Sequence, residues 1–384
     1  MNSSYPESWE VVSLDSICRP KQWATINVGE LTEDGFPVYG ANGKIGYYSS
    51  YNHTQPTVLI TCRGASCGAI NISEPNSYVT GNAMALDDMN TSRVDLNYLA
   101  RTLARRGYLR KAITGSAQPQ ITRETLRSVS VPLPPLAEQR RIAEVLDRVD
   151  ALREKRRKSI ALLDELAQSI FLDMFGNLRE AEASYGVTSI GEVALQVTDG
   201  EHQTPKRQLS GIKLLSARNI RDGYLDIGNV DYIGEEEYVR ISKRCDPQIG
   251  DVLISCSGSI GRVATFDLQE PIALVRSVAL VRPDPSIVAP TYLSALLRTP
   301  ELQNKMQQSA KSSSQANLFQ GPIRKLPVPV PPMEEQKLFE QRIRGVELAT
   351  VRNQEHLNQL DTLFASIQSR AFRGELWQDE LKDM

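Results

Sequence analysis

The sequence has no long apolar run. No stretch approaches the ~18–20 consecutive apolar residues that a membrane helix requires. The start, Met1-Asn2-Ser3-Ser4-Tyr5-Pro6, has neither the basic nor the apolar region of a signal peptide. The expectation is a cytoplasmic protein without membrane contact. An excess of positive charge is also missing. Against 44 Lys and Arg stand 46 Asp and Glu, a net charge of −2, which argues against a protein that coats nucleic acid through bulk charge. The five cysteines, Cys18, Cys62, Cys67, Cys245 and Cys256, are odd in number and form no C-x-x-C pair. They read as reduced thiols in or near cores, not as a disulfide framework or a zinc site.

The parts of an enzyme are equally scarce. The three histidines, His53, His202 and His356, lie far from metal-ligand spacing. No G-x-x-x-x-G-K-[ST] loop exists: Gly43-Lys44 is followed by Ile45 and lacks the upstream glycine. The glycine-rich stretches 64–68 and 258–261 do not fit a dinucleotide fingerprint and read as turns. Asp284 with Glu335-x-Lys337 echoes a nuclease motif only superficially, because the separation is long and the second part falls in a helix start. No catalytic residue, metal ligand or cofactor of its own is expected.

What is present is local charge and a duplication. Between Asp95 and Glu124 there is no acidic residue, while Arg101, Arg105, Arg106, Arg110, Lys111 and Arg123 lie there. Between Glu301 and Glu334 there is again none, with Lys305, Lys311, Arg324 and Lys325 inside. Val131-Pro132-Leu133-Pro134-Pro135-Leu136-Ala137-Glu138-Gln139 recurs as Val328-Pro329-Val330-Pro331-Pro332-Met333-Glu334-Glu335-Gln336, at an offset of 197 residues. The same offset pairs Gln118 with Gln315, Ile121 with Leu318, and Phe175 with Phe372. Upstream, Val58–Gly64 resembles Val252–Gly258 at a different offset. One portion of each half therefore behaves as fixed scaffold and the other as variable.

The scaffold portions read as long helices. Each opens on a proline pair, which suits a helix start. Glu138, Glu334 and Glu335 sit in the first turns, where the helix dipole favours them. Apolar residues follow in steps of three and four: Ile142, Val145 or Leu146, Val149, Leu152, Ile160, Leu163, Leu166 or Ala167, Ile170 and Met174 in the first; Phe339, Ile343, Val346, Ala349, Leu357, Leu360, Leu363 and Ile367 in the second. Roughly 37–39 residues at 1.5 Å each span about 55–58 Å. Both stripes break at mid-length, at 153–158 and 352–356. In an antiparallel pair these breaks meet as a polar, register-fixing layer; the alternative is a basic face turned to solvent or DNA. The globular portions read as mixed α/β, with strands at 56–60 and 250–254 and short helices at 96–112 and 290–309. The segmentation is 1–131, 132–176, 177–328 and 329–384.

Pro-Leu-Pro-Pro-Leu-x-Glu-Gln-Arg-Arg-Ile-Ala-x-x-Leu at 132–146, followed by a long helix and repeated once, resembles the conserved regions of type I restriction–modification specificity subunits. The lead-ins Gly115–Ile121 and Ser312–Leu318 are similar to that family too, as are Tyr39–Tyr48 and Asp199-Gly200-x-His202-x-Thr204-Pro205. Lys337-Leu338-Phe339, in place of Arg140-Arg141-Ile142, is a departure. The resemblance implies an α/β chain with two target-recognition domains, separated by an antiparallel two-helix coiled coil in a pseudo-two-fold repeat. Each domain would read one half of a split, asymmetric double-stranded DNA site. The helices would set the gap and bind two modification subunits. S-adenosylmethionine, ATP and Mg would belong to those subunits and to the motor-nuclease restriction subunits. A 55 Å spacer bounds the span at roughly 16 base pairs.

Base readout is expected from polar side chains in the variable loops, since Asn and Gln pair with adenine and Arg with guanine. The candidates are Asn42, Lys44, Arg63, Ser116 and Gln118 in the first domain. In the second they are His202, Gln203, Thr204, Lys206, Arg218, Asn219, Ser257, Ser313 and Gln315. Arg101, Arg105, Arg106, Lys305 and Lys311 are expected on phosphates, which position without specifying. The competing reading is a structural adaptor whose globular domains bind protein instead of DNA.

Overall fold

The computed structural model describes residues 5–41, 43–115, 118–311 and 317–376. It divides into two compact units, Met1–Arg153 with Leu360–Met384, and Glu154–Gln359. Each takes one globular portion together with stretches of both long helices.

The first unit contains, in order, β1 (Glu10–Ser13), β2 (Arg19–Gln22), β3 (Phe36–Gly40), β4 (Gly43–Tyr48), β5 (Val58–Thr61), β6 (Ile70–Ile72), β7 (Tyr78–Val79), β8 (Ala83–Asp87), α1 (Leu96–Leu103), α2 (Arg123–Leu126), β9 (Ser130–Leu133) and the start of α3 (Leu136–Phe175). One antiparallel sheet has the order β2-β8-β5-β6; a second, β4-β3-β7, joins β3 to β7 in parallel. β1 pairs with β9, with Val12 opposite Val131. The apolar run of β5 is explained by burial on both faces. Val58, Ile60 and Cys62 enter the core shared with α1, while Leu59 enters a separate core with Tyr39 and Val79. Alternation along a strand delivers its residues to two cores in this way.

The second unit continues with α4 (Leu178–Tyr185), β10 (Thr188–Ser189), α5 (Ile190–Val193), β11 (Ala194–Asp199), β12 (Arg207–Gln208), β13 (Ile212–Leu215), β14 (Ile220–Arg221), β15 (Tyr224–Leu225), β16 (Asp231–Ile233), α6 (Glu235–Ser242), β17 (Val252–Ser255), β18 (Val263–Thr265), β19 (Ile272–Leu274), β20 (Val278–Pro283), α7 (Pro290–Leu297), α8 (Pro300–Lys311), α9 (Gln320–Arg324), β21 (Pro327–Val328) and α10 (Met333–Ala371). Its sheet β11-β20-β17-β18 repeats the order of β2-β8-β5-β6. β17 splits its residues as β5 does: Val252, Ile254 and Cys256 to one core, Leu253 to another. The second sheet, β12-β16-β13-β19, again holds one parallel pair, β13 with β19. The β14–β15 hairpin and α6 enlarge this unit.

Two expected helices are shorter than their sequence suggests. α1 stops at Leu103, and the chain turns at Gly107 (φ +76°) before a 3-10 turn at Arg110–Ala112. The 290–309 stretch is two helices, because Pro300 disfavours helical backbone at the residue before it.

The long helices contain 40 and 39 residues, about 60 Å each at 1.5 Å per residue. Within each unit their segments run antiparallel. In the first, Ile142 and Leu146 share a core with Ala371 and Phe372. In the second, Phe171 and Phe175 stack with Phe339 and Tyr292 at ring-centroid distances of 5.0–5.6 Å. The expected stripe needs correction at Leu152 and Leu363, which are exposed; of the alternatives at 166 and 167, Leu166 is exposed and Ala167 half-buried. The seam passes through Arg153 and Phe364 instead. Arg153 donates Nε to Asp361 (2.6 Å) and Nη1 to Asp150 (2.7 Å), with its guanidinium 4.5 Å from the Phe364 ring centroid. In the second unit, Arg156 donates to Asn353 Oδ1 (3.0 Å). This contact joins the two mid-length breaks, 153–158 and 352–356, while Arg153 reaches past the second break and Lys155, Arg157 and Lys158 face solvent. Among the described residues, no helix is long and apolar enough to cross a membrane.

Candidate nucleic-acid interface

Each globular portion is mounted on the helices by the same device. Gln139 is fully buried. Its Oε1 accepts the Asp95 N–H (2.9 Å), and its Nε2 donates to the carbonyls of Arg93 and Pro134 (both 2.8 Å). Gln336 is also fully buried. It accepts the Ala289 N–H (2.7 Å) and donates to Ile287 O (3.1 Å) and Pro331 O (2.7 Å). Tyr98 donates to Pro132 O (2.7 Å), and Tyr292 does the same to Pro329 O (2.9 Å). Buried polar groups must be paired, so these bonds fix the start of each long helix against the loop before α1 or α7. The neighbouring glutamates take unlike donors: Tyr185 Oη bonds Glu335 (2.8 Å), and the Trp9 side chain bonds Glu138.

The loops are where the two units differ most. In both units the turn after the central strand is crossed by a returning segment. Ile121 N donates to Cys62 O (2.9 Å), and Leu318 N donates to Cys256 O (2.9 Å). Arg63 is bridged to Gln120, and Ser257 to Asn317. Arg63 and Gln118 thus come to one exposed edge of the first unit. Lys44 is exposed on β4, with Nζ 3.2 Å from Glu74 and 4.6 Å from the Tyr47 ring centroid. Asn42, Ser116, Ser313 and Gln315 lie outside the described residues.

In the second unit, His202, Gln203, Thr204 and Lys206 form one exposed loop after β11. Gly200 is required there, because a Cβ would lie 2.3 Å from Leu274 O. Pro205 is buried and pins the far end of the loop. Arg218 is exposed and held by Asp231 (3.0 Å), which Arg207 also contacts (2.9 Å). Lys305 and Lys311 are exposed on α8, whose Gln303 donates to Gly261 O (2.7 Å) in the 257–261 turn.

Three expected contacts have other employment. Asn219 is 1% exposed; its Nδ2 donates to Asp226 O and Asn229 O (both 3.0 Å), and its Oδ1 accepts the Ser216 N–H (3.0 Å). It shapes the loop and presents nothing to a base. Arg101 pairs with Asp147 (2.8 Å) and Asp150 (2.9 Å) on α3. Arg105 packs its guanidinium over Phe372 (4.5 Å) and Tyr108 (5.1 Å). Of the basic residues between Asp95 and Glu124, Arg106, Arg110, Lys111 and Arg123 remain exposed.

A family profile described as type I restriction modification DNA specificity domain matches residues 6–162 and 212–360. The chain belongs to this DNA specificity family. It is 25% identical over 297 residues to the EcoBI specificity subunit of Escherichia coli, covering 69% of this chain and 62% of that one. It is 20% identical over 370 residues to the MjaVIII specificity subunit of Methanocaldococcus jannaschii, covering 89% and 87%. The match thus spans less than two thirds of the first relative's length and most of the second's. The S subunit of a type-I restriction-modification system from M. genitalium has a similar fold, with a TM-score of 0.65, 16% identity, and coverage of 97% of this chain and 99% of that chain.

For this specificity-family member, sequence reasoning found the repeated Glu-Gln but not the work of the glutamine. The signal was available: an uncharged amide recurring at the first turn of both helices. Among the described residues, no group of three or more His, Cys, Asp or Glu side chains is placed to hold a metal ion.

Proposed function

We propose that this chain is the sequence-reading subunit of a type I restriction–modification complex. It reads two unlike half-sites of double-stranded DNA through the loops of its two globular portions. The long helices act as the spacer that sets the unread gap, in a pseudo-two-fold antiparallel arrangement. Two modification subunits bind the helices and methylate adenine with S-adenosylmethionine. Restriction subunits, with ATP and Mg, translocate and cut unmethylated DNA in the cytoplasm. The chain itself supplies recognition and no chemistry.

The observation that carries this reading is the pair of equivalent mounts. One three-bond glutamine device serves two domains with the same sheet order and different loops. Two domains at fixed separation and phase are what a split duplex site demands. Within each unit, Lys44, Arg63, Arg106 and Gln118, or His202, Gln203, Thr204, Lys206, Arg218, Lys305 and Lys311, supply the exposed polar surface, with Ser257 half-buried beside it.

The test is binding of duplex DNA by the chain with its modification subunit. Salt-dependent, sequence-selective retention is expected; its absence favours the protein-binding adaptor. A four-residue insertion in one long helix adds about 6 Å, close to ~2 base pairs. Methylome sequencing should then show an altered gap with unchanged half-site letters.

A further inference from the structure

Three side chains from separate parts of the second unit converge on one carboxylate. Asp199, the last residue of β11, accepts Arg244 Nη2 (2.6 Å) and Gln320 Nε2 (2.6 Å) on Oδ1. His202 Nε2 lies 2.9 Å from its Oδ2 and 3.0 Å from Arg244 Nη2. These partners come from the loop after β11, from just beyond α6, and from the first residue of α9. The anchor is sheltered, with the Asp199 side chain 18% exposed, while the side chains of His202 and Arg244 are 52% and 48% exposed. The next residue, Gly200, packs directly on the Leu274 backbone, where a Cβ would lie 2.3 Å from the carbonyl oxygen.

Exposed ion pairs contribute little to stability, which is a poor reason to bring Arg244 and Gln320, 45 and 121 residues away, onto a carboxylate that already has a neighbouring histidine. Orientation is a better one. An arginine side chain is long and loses much rotamer freedom when a ligand fixes it. A carboxylate already holding one Nη2 presents the remaining guanidinium edge pre-aimed. That planar fork matches O6 and N7 on the major-groove edge of guanine.

We propose that Arg244, oriented by Asp199, reads a guanine in the half-site of the second domain. Asp199 and Gln320 are positioning residues, and His202 flanks the contact. The assignment rests on the DNA-reading function proposed above and adds the residue and the base.

The experiment is methylation-motif sequencing on a random DNA library. It uses the full chain assembled with its modification subunits, as wild type, Arg244→Lys, Arg244→Gln and Asp199→Asn. Binding is measured alongside at several salt concentrations. The wild type should give a guanine in one half-site. Arg244→Lys keeps the charge and the salt dependence but loses the fork, so discrimination at that guanine should fall roughly 10- to 100-fold. Asp199→Asn should relax the same position by a smaller factor. The other half-site should keep its letters throughout.

Retention of every letter by both Arg244 variants overturns the assignment. So does uniform weakening on all sequences with a shallower salt slope, which marks a phosphate contact. Loss of all letters of that half-site by Arg244→Lys also overturns it, since the side chain then holds the domain together. A wild-type complex without sequence selectivity refutes the DNA-reading function itself, and is told apart because the unsubstituted chain already shows it.

Discussion

Replacing Gln336 by leucine isolates what the buried glutamine contributes. The two side chains are close in volume, so little cavity is created. Three backbone groups lose their partner: the Ala289 N–H and the carbonyls of Ile287 and Pro331. Leaving a buried polar group unpaired costs about 1–3 kcal/mol, and carbonyls, with two lone pairs, tolerate the loss more readily than amides. The expected destabilisation is about 3–5 kcal/mol. Urea unfolding should report it, together with faster hydrogen exchange at the Ala289 amide. Gln336→Glu gives a sharper signature. The new carboxylate keeps an acceptor for Ala289 but turns an oxygen toward two carbonyls, and burial disfavours its charge. Its folded-state pKa is then raised, so stability is retained at low pH and lost as pH rises through that value. A Gln336→Leu protein within 1 kcal/mol of wild type, with unchanged protection at Ala289, would refute the reasoning.

Asp150 offers a pH test of the opposite sign. Burial raises its pKa, but the hydrogen bonds and charges of Arg101 and Arg153 outweigh that and hold it below the usual carboxylate range. Asp150→Asn should cost up to about 1 kcal/mol at pH 7, given the pair's partial exposure. The difference should begin to shrink as pH falls below about 3.8 and vanish only below the lowered folded pKa, where the carboxyl is protonated in both folded and unfolded chains. Among the thiols, burial pushes Cys256, Cys245 and Cys18 from 9.0 up to about 12, a roughly 10³-fold loss of thiolate at pH 8. Half-buried Cys67 should therefore be alkylated first in the native protein, as mass spectrometry of labelled peptides can show. Gly374→Ala places a Cβ 2.2 Å from Pro6 at φ +72°, and should cost about 1–3 kcal/mol. Earlier proteolysis in the segment around Tyr5–Trp9 is the readout.

The features legible in the sequence are those that repetition makes redundant. Pro134-Pro135 and Pro331-Pro332 mark both helix starts, and Val58–Ile60 and Val252–Ile254 mark both central strands. The less legible features depend on partners remote in sequence. The stretch from Asp95 to Glu124 looks like free positive charge because its own acids are missing. Yet Arg101 finds Asp147 and Asp150, 46 and 49 residues away, and Arg105 finds the Phe372 ring. Local charge counting cannot see such pairings. The helix stripe is off at Leu152 for a related reason: the seam accepts Arg153, whose stem and planar head lie on Phe364 while its nitrogens reach Asp361 and Asp150. Asn219 looked like a reader because asparagine pairs with adenine; burial turned it into a loop brace.

The chemistry of the mount explains how one scaffold can carry unlike readers. The bonds made by Gln139, Gln336, Tyr98 and Tyr292 all end on backbone groups. Arg93 and Ile287 share no side-chain chemistry, yet their carbonyls fill the same role. The glutamines recognise only backbone, so beyond one tyrosine on α1 or α7 this hydrogen-bonded mount asks little of the side chains of the domain it holds. The second unit can therefore add α6 and the β14–β15 hairpin without disturbing its mount. Its specificity loops can change residue by residue while the helix start stays fixed. The restriction falls instead on backbone geometry at Asp95 and Ala289, where each glutamine needs an amide aimed inward. Substitution to proline at either position removes that amide, and should unseat its own domain while leaving the other in place.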